Sequence, residues 1–185
     1  MDCPFCEKSC TCGAGVKEPP GWADVSPLSS GPLHGVVVAR VPLARHATWA
    51  PSDLTRAVCA LGHGPPAVVI NVSNSNRWYA PSDFACPVKF IKTPGGGNIP
   101  PAKALHAFLK IVRKYRRHGI VVLHCTHGHN RSGFMLVNLL LRSHGYTPEA
   151  ACAAFAGVRP PGIVRPEYVR ALVTDEEDNL LNIGF

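Results

Sequence analysis

The 185 residues suffice for one domain with a real core, and their 46% hydrophobic and 17% charged content excludes a disordered chain. A net charge of +7 suits a polyanionic partner such as nucleic acid, a phosphoinositide head group or a phosphoprotein, or else a basic protein with no such partner. No apolar run reaches the roughly 18 residues that a membrane span requires, and no apolar signal segment follows Met1 and Asp2, so an intracellular, reducing setting is expected, nuclear or cytoplasmic.

Residues 1–20 read as an extension. Cys3, Cys6, Cys10 and Cys12 cluster there before the Pro19-Pro20-Gly21 boundary. Four thiols in ten residues fit either a structural zinc site or an oxidation-prone tail. Residues 21–173 have the texture of one α/β unit, and 174–185 that of an acidic, solvated tail.

Within the unit, β-branched runs at 36–41 and 67–72, with a shorter one at 88–92, predict strands. Between the first two, Ser52 is placed as an N-cap, with Asp53 in the first turn and Leu54, Val58 and Leu61 at helical spacing. Pro100 and Pro101 open a long helix with Leu105, Phe108, Val112 and Tyr115 as its apolar stripe. Lys103, Lys110, Lys114 and Arg117 share another face of it, which reads as a solvated surface or as a track for an RNA backbone. Residues 120–123 form a short buried strand, and 134–141 an apolar helix ending near Gly145. Thr147, Pro148 and Glu149 start another helix. Cys59 and Cys152 fall at helix positions and read as core. The alternation predicts an α/β fold with a mainly parallel sheet of about five strands flanked by helices.

The chemistry concentrates in His124-Cys125-Thr126-His127-Gly128-His129-Asn130-Arg131-Ser132-Gly133, between a strand and a helix. Such a loop aims successive amides at one spot, and the helix dipole favours an anion there. The same field lowers the pKa of a thiol. Amides of residues 126–131 suit three phosphate oxygens, while Gly128 and Gly133 allow close backbone approach. Arg131 supplies a planar fork able to grip two of these equatorial oxygens. Ser132 is placed to donate to the sulfur as it leaves a phosphocysteine, and His124 to orient the loop. A buried structural thiol, or a zinc site from His124, Cys125, His127 and His129, are the rivals, and Arg131 opposes the latter.

The run resembles the active-site signature of cysteine-dependent phosphatases. More narrowly it resembles the metal-independent RNA 5′-triphosphatase branch, which includes the triphosphatase domain of mRNA capping enzymes, baculovirus RNA phosphatase and stand-alone dual-specificity relatives. Three further segments carry the likeness: Pro20-Gly21-Trp22, Asn74-Ser75-Asn76-Arg77-Trp78-Tyr79, and Arg159-Pro160-Pro161-Gly162-Ile163 followed by Tyr168. The resemblance implies a dual-specificity-phosphatase-like fold, a metal-independent reaction with no cofactor, Cys125 as nucleophile, and RNA 5′ ends as substrate for a monomer. Arg77, Lys92 and Asn71 are then placed at the substrate, with Arg159 shaping the pocket rim. The sequence departs from the branch at His129, where Phe or Ile is usual, at Ser132 for Thr, at Asn71 for a functional Asp, and at Ala80 for a common Asp.

Protein phosphatases of this superfamily carry a general-acid Asp some 30 residues before the cysteine, because a tyrosine or serine leaving group needs a proton. Residues 92–98 contain no acid, and Asp83 reads as an ordinary loop residue. A diphosphate leaving group needs no strong acid, which favours a phosphoanhydride substrate. Three activities are therefore carried forward: polynucleotide 5′-triphosphatase, dual-specificity protein phosphatase, and a phosphate-end binding module without turnover. No Lys-x-Asp-Gly motif is present, so capping would need a guanylyltransferase partner.

Overall fold

The computed structural model describes residues 17–179. Four runs of apolar residues form strands β1 (Val36–Ala39), β2 (Val68–Asn71), β3 (Val88–Phe90) and β4 (Val121–His124). They make one parallel sheet in the order β1-β4-β2-β3. Among the described residues the sheet thus holds four strands where about five were expected. Beyond β1, residues 28 and 33 pair only as isolated antiparallel bridges. Pro27 and Pro32 lack the N–H that a continuous ladder would need.

The sheet is buried on both faces, as a parallel sheet must be. Val36, Val38, Val68, Ile70, Val121 and Leu123 face one core, covered by helices α2 (Ala102–Tyr115), α3 (Asn130–His144), α4 (Pro148–Val158) and α5 (Pro166–Asn179). Val37, Ala39, Val69 and Val122 face a second core with Trp22, Trp49, Trp78, Tyr79 and helix α1 (Pro51–Val58). Leu105, Phe108 and Val112 bury the predicted stripe of α2. Thr147 caps α4 by accepting from the Ala150 N–H at 3.3 Å.

Three local expectations are corrected. The N-cap of α1 is Ala50 and not Ser52, because Pro51 takes the first helical position and Asp53 accepts the Ala50 N–H at 2.8 Å. Cys59, just past the end of α1, is exposed and not core, whereas Cys152 in α4 is half-buried and packs against the first core. Residues 174–179 of the expected acidic tail continue the backbone of α5, and the rest of that tail lies outside the described residues. The cluster Cys3, Cys6, Cys10, Cys12 and its zinc reading lie outside the described residues. No helix among the described residues is long and apolar enough to cross a membrane.

Candidate active site

The loop after β4 is fixed from both sides of the central strand. The Val41 N–H donates to the Thr126 carbonyl at 3.0 Å, and the Val72 N–H donates to that of His124 at 2.8 Å. Gly128 turns the chain at φ +77°, and its N–H donates to Cys125 Sγ at 3.3 Å. A Cβ at Gly128 would overlap the Ala39 carbonyl, lying 2.8 Å from its carbon and 3.0 Å from Arg159 Nη2. Gly133 is required for another reason: a Cβ there would stand 2.6 Å from both Ile163 and Phe155. Gly128→Ala combines left-handed strain with a backbone clash and is expected to cost about 2–4 kcal/mol. Urea unfolding measures this, and a variant within 0.5 kcal/mol of wild type would contradict such tight seating.

Cys125 is 3% exposed. Burial opposes its ionisation, but the Arg131 charge, the hydroxyl and N–H of Ser132 and the Gly128 N–H outweigh it and hold the thiol below its ordinary pKa. Ser132 Oγ is fully buried beside the sulfur and makes no hydrogen bond of standard geometry. Arg131 anchors Nη2 on Thr126 Oγ1 at 3.1 Å, while its Nη1 is buried without a partner. A thiolate-prone sulfur and an unsatisfied guanidinium N–H at one helix N-terminus suit an oxyanion with an electrophilic centre.

Beneath the cysteine lies a contact that sequence reasoning missed. The Tyr79 hydroxyl meets His124 Nε2 at 2.6 Å, and His124 Nδ1 meets the Cys125 carbonyl at 3.0 Å. With Nδ1 donating to the carbonyl, Nε2 accepts from the tyrosine. Tyr79 is held in its protonated form by burial, which suits the donor role. His124 is wholly buried, and burial lowers its pKa from 6.5 to about 4. The unfolded chain therefore binds the extra proton as pH falls from 6.5 to 4, and folding stability drops across that window. Wild type is expected to lose about 3 kcal/mol more than His124→Gln between pH 7 and pH 4. Denaturant unfolding at the two pH values checks this, and equal losses would count against a neutral buried His124.

Asn71 stands in register with His124 on the adjacent strand. Its Oδ1 accepts from the Ser73 N–H at 2.9 Å and its Nδ2 donates to the Ser75 carbonyl at 3.3 Å. The amide thus shapes the 71–75 turn, where a substrate contact was expected. Arg159 is also corrected. It is 1% exposed, under the loop and not at its rim. Its Nη2 donates to the His127 carbonyl at 2.8 Å and its Nε to that of Gly128 at 3.3 Å. Turning these carbonyls down leaves the neighbouring amides free to face an anion.

The substituted position His129 is buried, with Nδ1 3.0 Å from the Gly162 carbonyl, and burial keeps it neutral. Asn130 Oδ1 accepts from the N–H groups of Val164 and Arg165, each at 2.9 Å. Together with Arg159 they clasp the loop to residues 159–165. His127 Nε2 reaches the Pro20 carbonyl at 2.8 Å. The histidine nitrogens are thereby directed to separate partners, and no group of three or more His, Cys, Asp or Glu among the described residues is arranged for a metal ion.

Arg77 and Lys92 are exposed, on loops leaving the ends of β2 and β3 that carry the site. Arg77 lies over the Trp78 ring, 4.4 Å from its centroid. Asp83 accepts the Ala80 N–H at 2.8 Å as the cap of its own turn. Tyr168, another residue of the resembling segments, pins the turn at residues 95–98 by donating to the Asn98 carbonyl at 2.9 Å.

No family model matches the chain. It is 30% identical over 112 residues to the mRNA-capping enzyme of Mus musculus and 32% identical over 111 residues to that of Danio rerio. Each match covers 57% of this chain but only 19% of the relative, so the chain corresponds to about a fifth of those proteins. It is 31% identical over 111 residues to a tyrosine-protein phosphatase of Autographa californica nuclear polyhedrosis virus, covering 66% of that protein and 57% of this chain. Among solved structures, PTPMT1 superposes with a TM-score of 0.64 at 21% identity, covering 82% of this chain and 94% of that one. Human DUSP28 gives 0.65 at 15% identity, covering 90% and 100%.

Proposed function

The chain belongs to the cysteine-dependent phosphatases, and on that premise we propose that it hydrolyses the 5′-triphosphate end of RNA. In this reading the Cys125 thiolate attacks the γ-phosphorus. The S–P bond forms as the bond to the β,γ-bridging oxygen breaks, and diphosphate-ended RNA departs with the electron pair. Water then cleaves the phosphocysteine, releasing inorganic phosphate, and Ser132 donates to the departing sulfur. Arg131 and the loop amides bind the equatorial oxygens most tightly as the charge redistributes. His124 and Arg159 position the loop, while Arg77 and Lys92 meet the remaining phosphates. A guanylyltransferase partner belongs to the same reading, which the capping-enzyme relatives support.

One observation carries the choice of substrate. Between Asp83 and Glu149 the sequence has no Asp or Glu, and Asp83 is committed to capping its own turn. A phenolate or alkoxide leaving group lacks its acid there, whereas diphosphate needs none. The capping-enzyme relatives support the same choice, whereas the virus relative, a tyrosine-protein phosphatase, supports a phosphoprotein instead. The test compares kcat/KM for γ-phosphate release from triphosphate-ended RNA with that for a phosphotyrosine peptide. RNA is expected to be favoured at least tenfold. Preference for the peptide would assign a protein phosphatase, and binding without turnover would leave a phosphate-end binding module.

A further inference from the structure

The positive charge is not spread evenly. The acid-free stretch between Asp83 and Glu149 holds ten lysines and arginines, so the rest of the chain carries more acid than base. This stretch builds β3, α2, β4, the candidate loop and α3. Its exposed cations gather on one flank. Lys103, Lys110, Lys114 and Arg117 are all exposed, the first three on one face of α2 at spacings of 7 and 4 residues and Arg117 in the turn that follows the helix. None of the three ion pairs among the described residues involves α2.

The flank leads away from the site. β3 and β4 are each parallel to β2, so α2, which connects them, runs back from the sheet's site end. Its 14 residues span about 20 Å, with Lys103 at the end nearer the site. On the edge strand, Phe90 pairs in register with Asn71, and Asn71 with His124. Phe90 therefore lies about 10 Å across the sheet from the residue preceding Cys125. It is 40% exposed, and Lys92 follows two positions on toward the site.

We propose that this β3–α2 flank binds the body of a single-stranded RNA whose 5′ end occupies the loop, with Lys92 and the cations along α2 tracking its phosphates. The proposal rests on the reading of RNA ends as substrate and extends it to the nucleotides that follow. A run of cations without ion-pair partners, leading away from the loop, fits the phosphates of such a strand, while Phe90, on the same sheet face as Val88 and opposite α2, stands apart from it.

The test uses the full chain and a 30-nucleotide RNA with a 5′-hydroxyl, so that no triphosphate contributes. Replacing Lys103, Lys110, Lys114 and Arg117 together by Glu is expected to weaken binding at least tenfold at 0.1 M salt. At about 0.7 per lost contact, the slope of log affinity against log salt should fall in magnitude by about 2–3. Gln at the same four positions removes the cations without adding repulsion and should give the same change in slope. Phosphate release from a triphosphate-ended trinucleotide should stay within twofold of wild type in the α2 variants. Unchanged RNA affinity and slope would overturn the proposal, as would a loss confined to an acidic phosphopeptide. Loss of RNA binding in variants of a protein that cleaves no triphosphate would sustain the flank and overturn the proposed function instead.

Discussion

Cys125→Ser is expected to lower kcat for phosphate release by at least about 10⁴-fold while leaving the protein folded and able to bind the phosphate end. The reason lies in the oxygen for sulfur exchange. The loop stabilises an anion at that point through Arg131, Ser132 and the Gly128 N–H. It can draw a thiol's pKa down to where the anion is populated, whereas a hydroxyl starts far too high for the same field to ionise it. The change removes little volume from a site that is 3% exposed, so stability should hold. Single-turnover assays with triphosphate-ended RNA, paired with binding measurements, check both halves. Residual activity within a hundredfold of wild type would mean that another group makes the attack.

Arg131→Lys is expected to cost about 10²–10³-fold in kcat with a much smaller change in KM. One guanidinium nitrogen is held by Thr126 Oγ1, and the other, buried and unpartnered, is left for the reacting group. A lysine keeps the charge but cannot hold the threonine and grip two oxygens at once. Its ammonium also cannot follow the transferring group with two parallel N–H bonds. Steady-state kinetics over a range of RNA concentrations separates the effects. A rise in KM with unchanged kcat would show that Arg131 serves binding only.

Much of this site was legible because its chemistry is local. A strand, a cysteine, two glycines, an arginine and a helix start lie within ten consecutive residues, and the strand–loop–helix geometry follows from that order. The parts that were not legible are joined over long separations. The Tyr79–His124 bond spans 45 positions, and nothing near Tyr79 marks a buried acceptor opposite it. Arg159 reaches carbonyls more than 30 positions away, so its place beneath the loop depends on how α4 docks. His129 looked out of place where an apolar residue is usual, yet the Gly162 carbonyl satisfies its ring. The turn that Asn71 shapes through the Ser73 N–H and the Ser75 carbonyl was also not read from the sequence, although a short amide readily satisfies neighbouring backbone in this way. At α5 the signal was present but unused, in Pro166 and Glu167 at the helix start.

The clasp formed by Arg159, His129 and Asn130 also accounts for how a buried cation is tolerated without an acid. Burial lowers the Arg159 pKa to about 10, still well above neutrality, and its hydrogen bonds go to backbone carbonyls. The guanidinium therefore remains charged close under the thiol, and it supports the loop's geometry and its field together.

The most direct measurement is acid-quench trapping with RNA labelled at the γ-phosphorus, in the presence of a metal chelator. Label should appear on the protein at Cys125 within the first turnover, chase into inorganic phosphate, and be absent when the α-phosphorus carries the label. Loss of turnover in chelator, or turnover with no labelled protein at any quench time, would contradict a metal-independent phosphocysteine mechanism on RNA 5′ ends.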